Sequence, residues 1–206
     1  MFLERGLAGA TIEEITERAD LGKGTFYIYF SSKVAIFESV VASCLEELMA
    51  QVREVENSAA DLRTALAKVV EAESAYRERD PGGFRLIVLA RSLLLLNEAE
   101  LPEVRSLFDR YFATLERIIR RYARAPMDPA YLRRVVIMLT NISSGYLSCT
   151  ALGPAADEAG VAYTRVAEVM LDAVRDLVDS AQDQNAAPGG EVVSPSPTAC
   201  LPEEPV

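Results

Sequence analysis

Lys23, Gly24, Thr25, Tyr27 and Tyr29 place a cation, a bare backbone, a hydroxyl and two phenols within seven consecutive residues. Groups of these types suit hydrogen bonds to phosphate oxygens and to base edges. On a helix, Phe26 and Phe30 stand four apart on the inward side and leave the polar set on the other. The same short pattern also fits a helical hairpin whose tyrosines complete a core. Other chemistries have less to work with. The chain contains no histidine, which removes Ser-His-Asp and Cys-His nucleophiles and imidazole metal ligands together. Cys44, Cys149 and Cys200 lie far apart without paired spacing, a pattern of a reducing compartment with no metal site. There is no paired acidic metal motif and no Gly-rich phosphate loop. The expectation is a binding protein without a cofactor, not an enzyme.

The element that must position this set is the segment before it. Ile12, Ile15 and Ala19 fall at helical spacing on one face, with Glu13, Glu14, Thr16, Glu17 and Arg18 mostly off it. Thr11 can cap this helix, with Glu14 three residues on as the partner of a capping box. Asp20-Leu21-Gly22 then breaks it: Asp20 tolerates a left-handed backbone, Leu21 can tuck between the helices, and Gly22 can open the next one. Two short helices joined by such a turn make a helix-turn-helix, whose second helix is built to enter a DNA major groove.

The run from Gly22 to Lys33, with Gly6, residues 11–19 and Ile36-Phe37, resembles the DNA-binding domain of TetR-family transcriptional regulators. The resemblance spans about 35 residues; the remainder is similar only in length and helical texture. It implies that Thr11, Lys23, Gly24, Thr25, Tyr27, Tyr29 and Lys33 contact DNA. Gly24 and Thr25 would approach base edges, while Thr11, Tyr27, Tyr29 and Lys33 would hold phosphates. Three features depart from the family pattern. The family carries a full helix before its Gly, so the expectation from Met1-Phe2-Leu3-Glu4-Arg5-Gly6 is an incomplete first helix that leaves Ile15, Phe26 and Phe30 under-covered. Ile28 stands where a polar residue is usual, and Asp20 where Gly is frequent.

Charge restricts how DNA could be bound. The chain of 206 residues carries a formal −10, which argues against a broad nucleic-acid surface. Residues 1–57 hold ten carboxylates against five cations. Contact must then rest on a few local donors and should weaken strongly with salt. Arg117, Arg120, Arg121, Arg124, Arg133 and Arg134 form a basic cluster further on, read as a solvated face that complements a helix C-terminus. No apolar run is long enough for a membrane span; the longest, Leu86 to Leu96, contains Arg91 and Ser92. Without a signal-peptide pattern at Met1, the expected location is cytoplasmic.

The fold expected is all-α: a helix-turn-helix domain with its linker helix over 1–50, a larger helical domain over 51–182, and a disordered tail over 183–206. Helices are predicted from Lys33 to about Glu56, Asp61 to Arg79, Phe84 to Ala99, Leu101 to about Ala125, Pro129 to Leu152 and Glu158 to about Gln182. The helix from Phe84 is apolar on nearly every side, so it is either a central core helix or one wall of an effector cavity. In the second reading Phe84, Val88, Arg91 and Leu95 line it with Tyr76, Tyr111, Phe112, Leu115, Met138 and Asn141. Arg91 is then the polar handle, or it pairs with Glu98. In the family the last two helices pair with their copies across a twofold axis. That implies a homodimer whose interface uses Leu132, Val136, Leu139, Tyr146, Val166, Met170, Val174 and Leu177; a monomeric hairpin is the alternative. The resemblance thus implies a dimer that binds a palindromic double-stranded operator and releases it when a small apolar or amphipathic effector shifts the two reading heads. A ligand-binding protein of the same fold that has lost DNA binding is the alternative.

Overall fold

A computed structural model describes residues 1–56, 58–96, 99–123, 126–152, 168–169 and 171–179, with backbone alone for 142–144 and 146–152. The described residues form α-helices and no strand. They are α1 (Phe2–Gly9), α2 (Ile12–Arg18), α3 (Lys23–Tyr29), α4 (Lys33–Val55), α5 (Leu62–Arg79), α6 (Pro81–Leu95), α7 (Pro102–Tyr122) and α8 (Pro129–Leu152). Residues 171–179 are also helical. The predicted tail over 183–206, the interval between the predicted helices ending at Leu152 and starting at Glu158, and the Arg91–Glu98 pairing lie outside the described residues.

Helix α1 is bent at Gly6, whose φ of 69° is open to glycine at little cost. The bend lets Phe2 and Leu7 both turn inward. Phe2 meets Phe37 of α4 edge to face, with ring centroids 5.1 Å apart. The three residues expected to be under-covered beside α1 differ: Phe26 is buried, whereas Ile15 and Phe30 are half-buried. Thr11 begins α2 with a complete capping box: its hydroxyl accepts from the Glu14 amide at 3.3 Å, and Glu14 accepts from the Thr11 amide at 3.2 Å. Asp20 takes φ 54° in the turn, a geometry Asp tolerates. The inward face of α2 differs from the reading above. Thr16 is buried, its hydroxyl donating to the Ile12 and Glu13 carbonyls at 2.9 Å, while Ala19 is exposed. Leu21 does not tuck between the helices but stands half in solvent.

Helix α4 is continuous through residue 50, so it belongs to both bodies, and it packs against α5, α6 and α7. Phe37, Val41, Leu45, Leu48, Met49 and Val52 place its stripe in the core. Glu38 is buried, and its carboxylate accepts the Glu103 and Val104 amides at 3.0 and 3.4 Å. That carboxylate caps α7, whose own N-cap residue, Leu101, supplies no side-chain bond. The predicted break at 80–83 is shorter than expected. Asp80 ends α5 and caps α6 by accepting the Gly83 amide at 2.9 Å, so α6 begins at Pro81. A Cβ at Gly83 would fall 2.1 Å from the Asp80 carboxylate and 2.6 Å from the Tyr76 hydroxyl. Helix α6 is not buried all round: Leu95 and Leu96 at its end are exposed. No single helix among the described residues is long and apolar enough to cross a membrane.

Candidate functional site

Helix α3 has one buried side chain, Phe26, whose ring leans edge-on against Tyr27 and near Phe30. Everything else it carries is available. Tyr27 is 58% exposed, Ile28 76% and Tyr29 74%; Lys23 and Gly24 are exposed and Thr25 half-exposed. A Cβ built on Gly24 meets nothing within 4 Å. The fold of this chain therefore gives no reason for a glycine there, and the tyrosines complete no core. Such an outward array of hydroxyls and bare backbone fits a docked surface better than a hairpin interior.

The cations are less free than the sequence suggests. Lys23 pairs with Glu13 of α2, which holds the Glu13 carboxyl below its usual range. Lys33 donates to the Ala8 and Ala10 carbonyls at 2.9 and 2.7 Å, tying the end of α1 to the start of α4. Thr11 spends its hydroxyl on the capping box. Glu4 and Arg18 bridge α1 and α2 at 2.8 Å, the bond pulling the carboxyl down and the guanidinium up. Thr25, Tyr27, Tyr29 and the Gly24 backbone thus remain as the outward set, and Lys33 acts structurally in this state. Three members of the basic cluster of α7 and α8 are engaged with carboxylates: Arg117 with Glu56, Arg120 with Glu116, and Arg133 with Glu116 and Asp109.

A second site lies where α4, α5, α6, α7 and α8 converge. A cavity of about 30 Å³ is lined by Leu45, Leu48, Glu73, Phe84, Ile87, Val88, Arg91, Phe108, Tyr111, Phe112 and Thr140. A neighbouring void of about 10 Å³ shares Glu73 and Thr140 and reaches Leu115. Five residues read from the sequence, Phe84, Val88, Arg91, Tyr111 and Phe112, meet at the first cavity, and Leu115 at the second. Tyr76 does not: it is enclosed in the core beside Asp80 and Cys44, where burial drives its hydroxyl well above its usual range; the Cys44 thiol is raised by its own burial, against the pull of the Tyr76 hydrogen bond. Leu95 lies at the exposed end of α6, and Met138 and Asn141 are on the outer face of α8. These three are corrected out of the cavity.

Glu73 and Thr140 complete the cavity and were missed. Glu73 is only 5% exposed. It accepts the Tyr111 hydroxyl, and burial pushes its carboxyl up to about 7 against the pull of Tyr111, Arg91 and Arg77. Arg91 donates to the Thr140 carbonyl at 3.2 Å. The signal for both was periodic. Glu73 falls on the stripe Leu62, Leu66, Val69, Tyr76, and Thr140 four residues after Val136, which itself follows Leu132 by four.

The same geometry reverses the stripe assigned to dimerisation. Leu132, Val136 and Leu139 are buried within the chain, packed into its own core, and so is Val174. A side chain enclosed at this level cannot also cover a second copy. The outward apolar side chains are Ile137 and Met138 of α8, with Val169 and Leu177 beyond. Tyr146, Val166 and Met170 lie outside the described side chains.

Comparison with known proteins places these sites in context. The profile of the family described as "Bacterial regulatory proteins, tetR family" matches residues 1–40. The HTH-type transcriptional activator FasR of Mycolicibacterium smegmatis is 34% identical over 87 residues, 42% of this chain and 40% of that protein. The uncharacterized HTH-type transcriptional regulator YvdT of Bacillus subtilis is 29% identical over 118 residues, covering 57% and 59%. The HTH-type transcriptional repressor KstR2 of Rhodococcus jostii is 31% identical over 70 residues, 34% of each chain. The chain thus spans less than two thirds of the length of these relatives. In fold it is similar to the crystal structure of a TetR-family transcriptional regulator, PfmR, from Thermus thermophilus, with a TM-score of 0.57, 22% identity, and coverage of 87% of this chain and 92% of that one.

Proposed function

We propose that the chain is a dimeric, ligand-responsive transcriptional regulator of the cytoplasm, a reading supported by the match of residues 1–40 to the tetR family of bacterial regulatory proteins and by the likeness of the fold to a TetR-family regulator. It reads a palindromic operator with α3 and releases it when a small apolar or amphipathic effector enters the cavity between α4, α6 and α7. The observation that carries this reading is the unfilled outer side of α3: exposed Tyr27 and Tyr29, half-exposed Thr25, and a Gly24 with open space where a side chain would stand. Exposed Ile28 suits apolar contact with a thymine methyl in the major groove. No group in this account performs a catalytic step.

Release follows from how little room the cavity offers. About 30 Å³ holds a water molecule or so, whereas small-molecule sites run to roughly 300–1,000 Å³. An effector can enter only by parting the helices that line the cavity. Two of these lead to DNA: Leu45 and Leu48 sit on α4, which is separated from α3 by three residues, and Phe84, Ile87 and Val88 sit on α6, against which α1 packs. In the dimer, formed through the outer face of α8 with Met138 and Ile137, the two α3 helices must lie about 34–36 Å apart to meet successive major grooves. A modest tilt of α4 and α6 removes that match, and a ligand that binds the tilted state shifts the population to it. Repression relieved by ligand is the proposed sign.

A second reading, a ligand-binding protein of this fold without DNA binding, is favoured by one observation: Lys23 and Lys33, the cations nearest α3, are both held internally. Selection from a random duplex library separates the two. The chain should enrich an inverted repeat, and a Thr25→Ala, Tyr27→Ala variant should not. Failure of both proteins to enrich any sequence supports the second reading.

A further inference from the structure

We infer that Glu13 is a built-in competitor for the DNA phosphate that Lys23 binds: on docking, the Lys23 ammonium leaves the Glu13 carboxylate, so Glu13 limits both the affinity and the salt dependence of DNA binding. This rests on the reading of α3 as the DNA-contacting helix and adds a residue of α2 to it. The argument starts from where the cations of the head are spent. Residues 1–33 contain four: Arg5, Arg18, Lys23 and Lys33. Arg5 pairs with Glu14 and Arg18 with Glu4, both joining α1 to α2. Lys33 donates to two carbonyls around the end of α1. Releasing any of these three undoes a tie between helices that are distant in the chain or differently packed. The Lys23–Glu13 pair instead joins α2 to α3, which residues 19–22 already connect. Lys23 opens α3 beside Gly24 and Thr25, and the two side chains of the pair are 56% and 61% exposed. An ion pair this exposed is weakly held, whereas a duplex offers a phosphate for about every 1.7 Å of its axis. Exchange of carboxylate for phosphate is therefore open to Lys23 without loss of the fold.

The exchange has two consequences. Lys23 must give up its bond to Glu13 before it gains one to phosphate, so part of its contribution to binding is cancelled in advance. The pair also carries no net charge. Its docking neutralises no phosphate on balance, and the counterions that a lone cation would displace stay on the DNA. The carboxylate of Glu13 serves no other purpose in the fold: the capping box of α2 and the bond from Arg5 both use its neighbour Glu14. An amide in its place thus removes the competitor and leaves α2 capped.

A double-mutant cycle of the full chain tests this: wild type, Glu13→Gln, Lys23→Met and the double variant, by fluorescence anisotropy on duplex DNA from the region upstream of the gene, between about 50 and 200 mM salt. All four should share the helical dichroism of the wild type, since both side chains are exposed. Glu13→Gln should bind about three- to tenfold more tightly at about 0.1 M salt. Its plot of log affinity against log salt should be steeper than that of the wild type by about 0.9. Lys23→Met should cost more affinity in the Glu13→Gln background than in the wild type, because only there is Lys23 uncommitted before docking. A carboxylate that merely repels phosphate would give the same Lys23 loss in both backgrounds. Equal losses, or a Glu13→Gln variant that binds no more tightly than the wild type, overturn the exchange and leave DNA reading by α3 standing. Binding by none of the four at the lowest salt overturns both.

Discussion

Replacing Glu73 by Gln should flatten the stability of this protein against pH. Gln keeps the volume and an acceptor for the Tyr111 hydroxyl but cannot ionise. In the native chain burial raises the Glu73 carboxyl from 4.5 to about 7. The folded state therefore holds a proton that the unfolded state has already released between those values. Stability from this group is full below the unfolded value and falls as pH rises toward the folded one. A rise of about two and a half pK units is worth about 3 kcal/mol, a large share of the 5–15 kcal/mol typical of a whole domain. Urea denaturation of both proteins at closely spaced pH values gives the difference directly, with the contributions of all other groups cancelling. The wild type should lose about 3 kcal/mol relative to Glu73→Gln between about pH 4 and pH 8. Parallel curves, or a wild type that gains relative to the variant, would refute the buried, proton-holding carboxyl and with it the electrostatics of the cavity.

Other outcomes follow from the same geometry. Glu38→Ala leaves two amides at the start of α7 without their cap and should cost about 1–2 kcal/mol in thermal or urea unfolding. Its loss should also loosen α4 from α7, read as faster amide exchange at Glu103 and Val104. Met138→Asp, on the exposed face of α8, should convert dimer to monomer in light scattering without loss of helical dichroism. Leu132→Asp, inside the core, should instead unfold the chain, since an unpaired charge buried there has no compensation.

The helix-turn-helix was legible because its signals are local. A capping box, a turn residue that accepts a left-handed backbone and a repeat of four between Phe26 and Phe30 each act within a few residues, and the structure keeps all of them. Helix ranges in the larger body were legible for the same reason, as in α7, where Val104, Leu107, Tyr111, Ile118 and Ile119 all turn inward as their spacing requires. What periodicity cannot say is which neighbour an apolar face meets. The stripe Leu132, Val136, Leu139 is equally apolar whether it packs on α7 or on a second copy, and only the assembled body shows that the first partner takes it. Met138 and Asn141, one face round the same helix, point outward and not into the cavity for the same reason. Polar residues inside the core were missed because each finds its partner across helices: Glu38 at the amides of α7, Glu73 at Tyr111. Their only trace in the sequence is a carboxylate that keeps step with an apolar stripe.

The most direct test of α3 as the DNA-reading element is fluorescence anisotropy of the wild-type chain and Gly24→Ala on duplex DNA from the region upstream of its own gene, at low and moderate salt. Alanine at position 24 meets nothing in the fold, and within a helix it should leave stability unchanged or raise it by about 0.5–1 kcal/mol. The account predicts saturable binding by the wild type that weakens with salt, and at least a tenfold loss in the alanine variant, because the added methyl occupies the space that the DNA would take. Binding by the variant equal to the wild type would contradict the placement of α3 in the groove, and no binding by either protein would contradict DNA recognition by this chain.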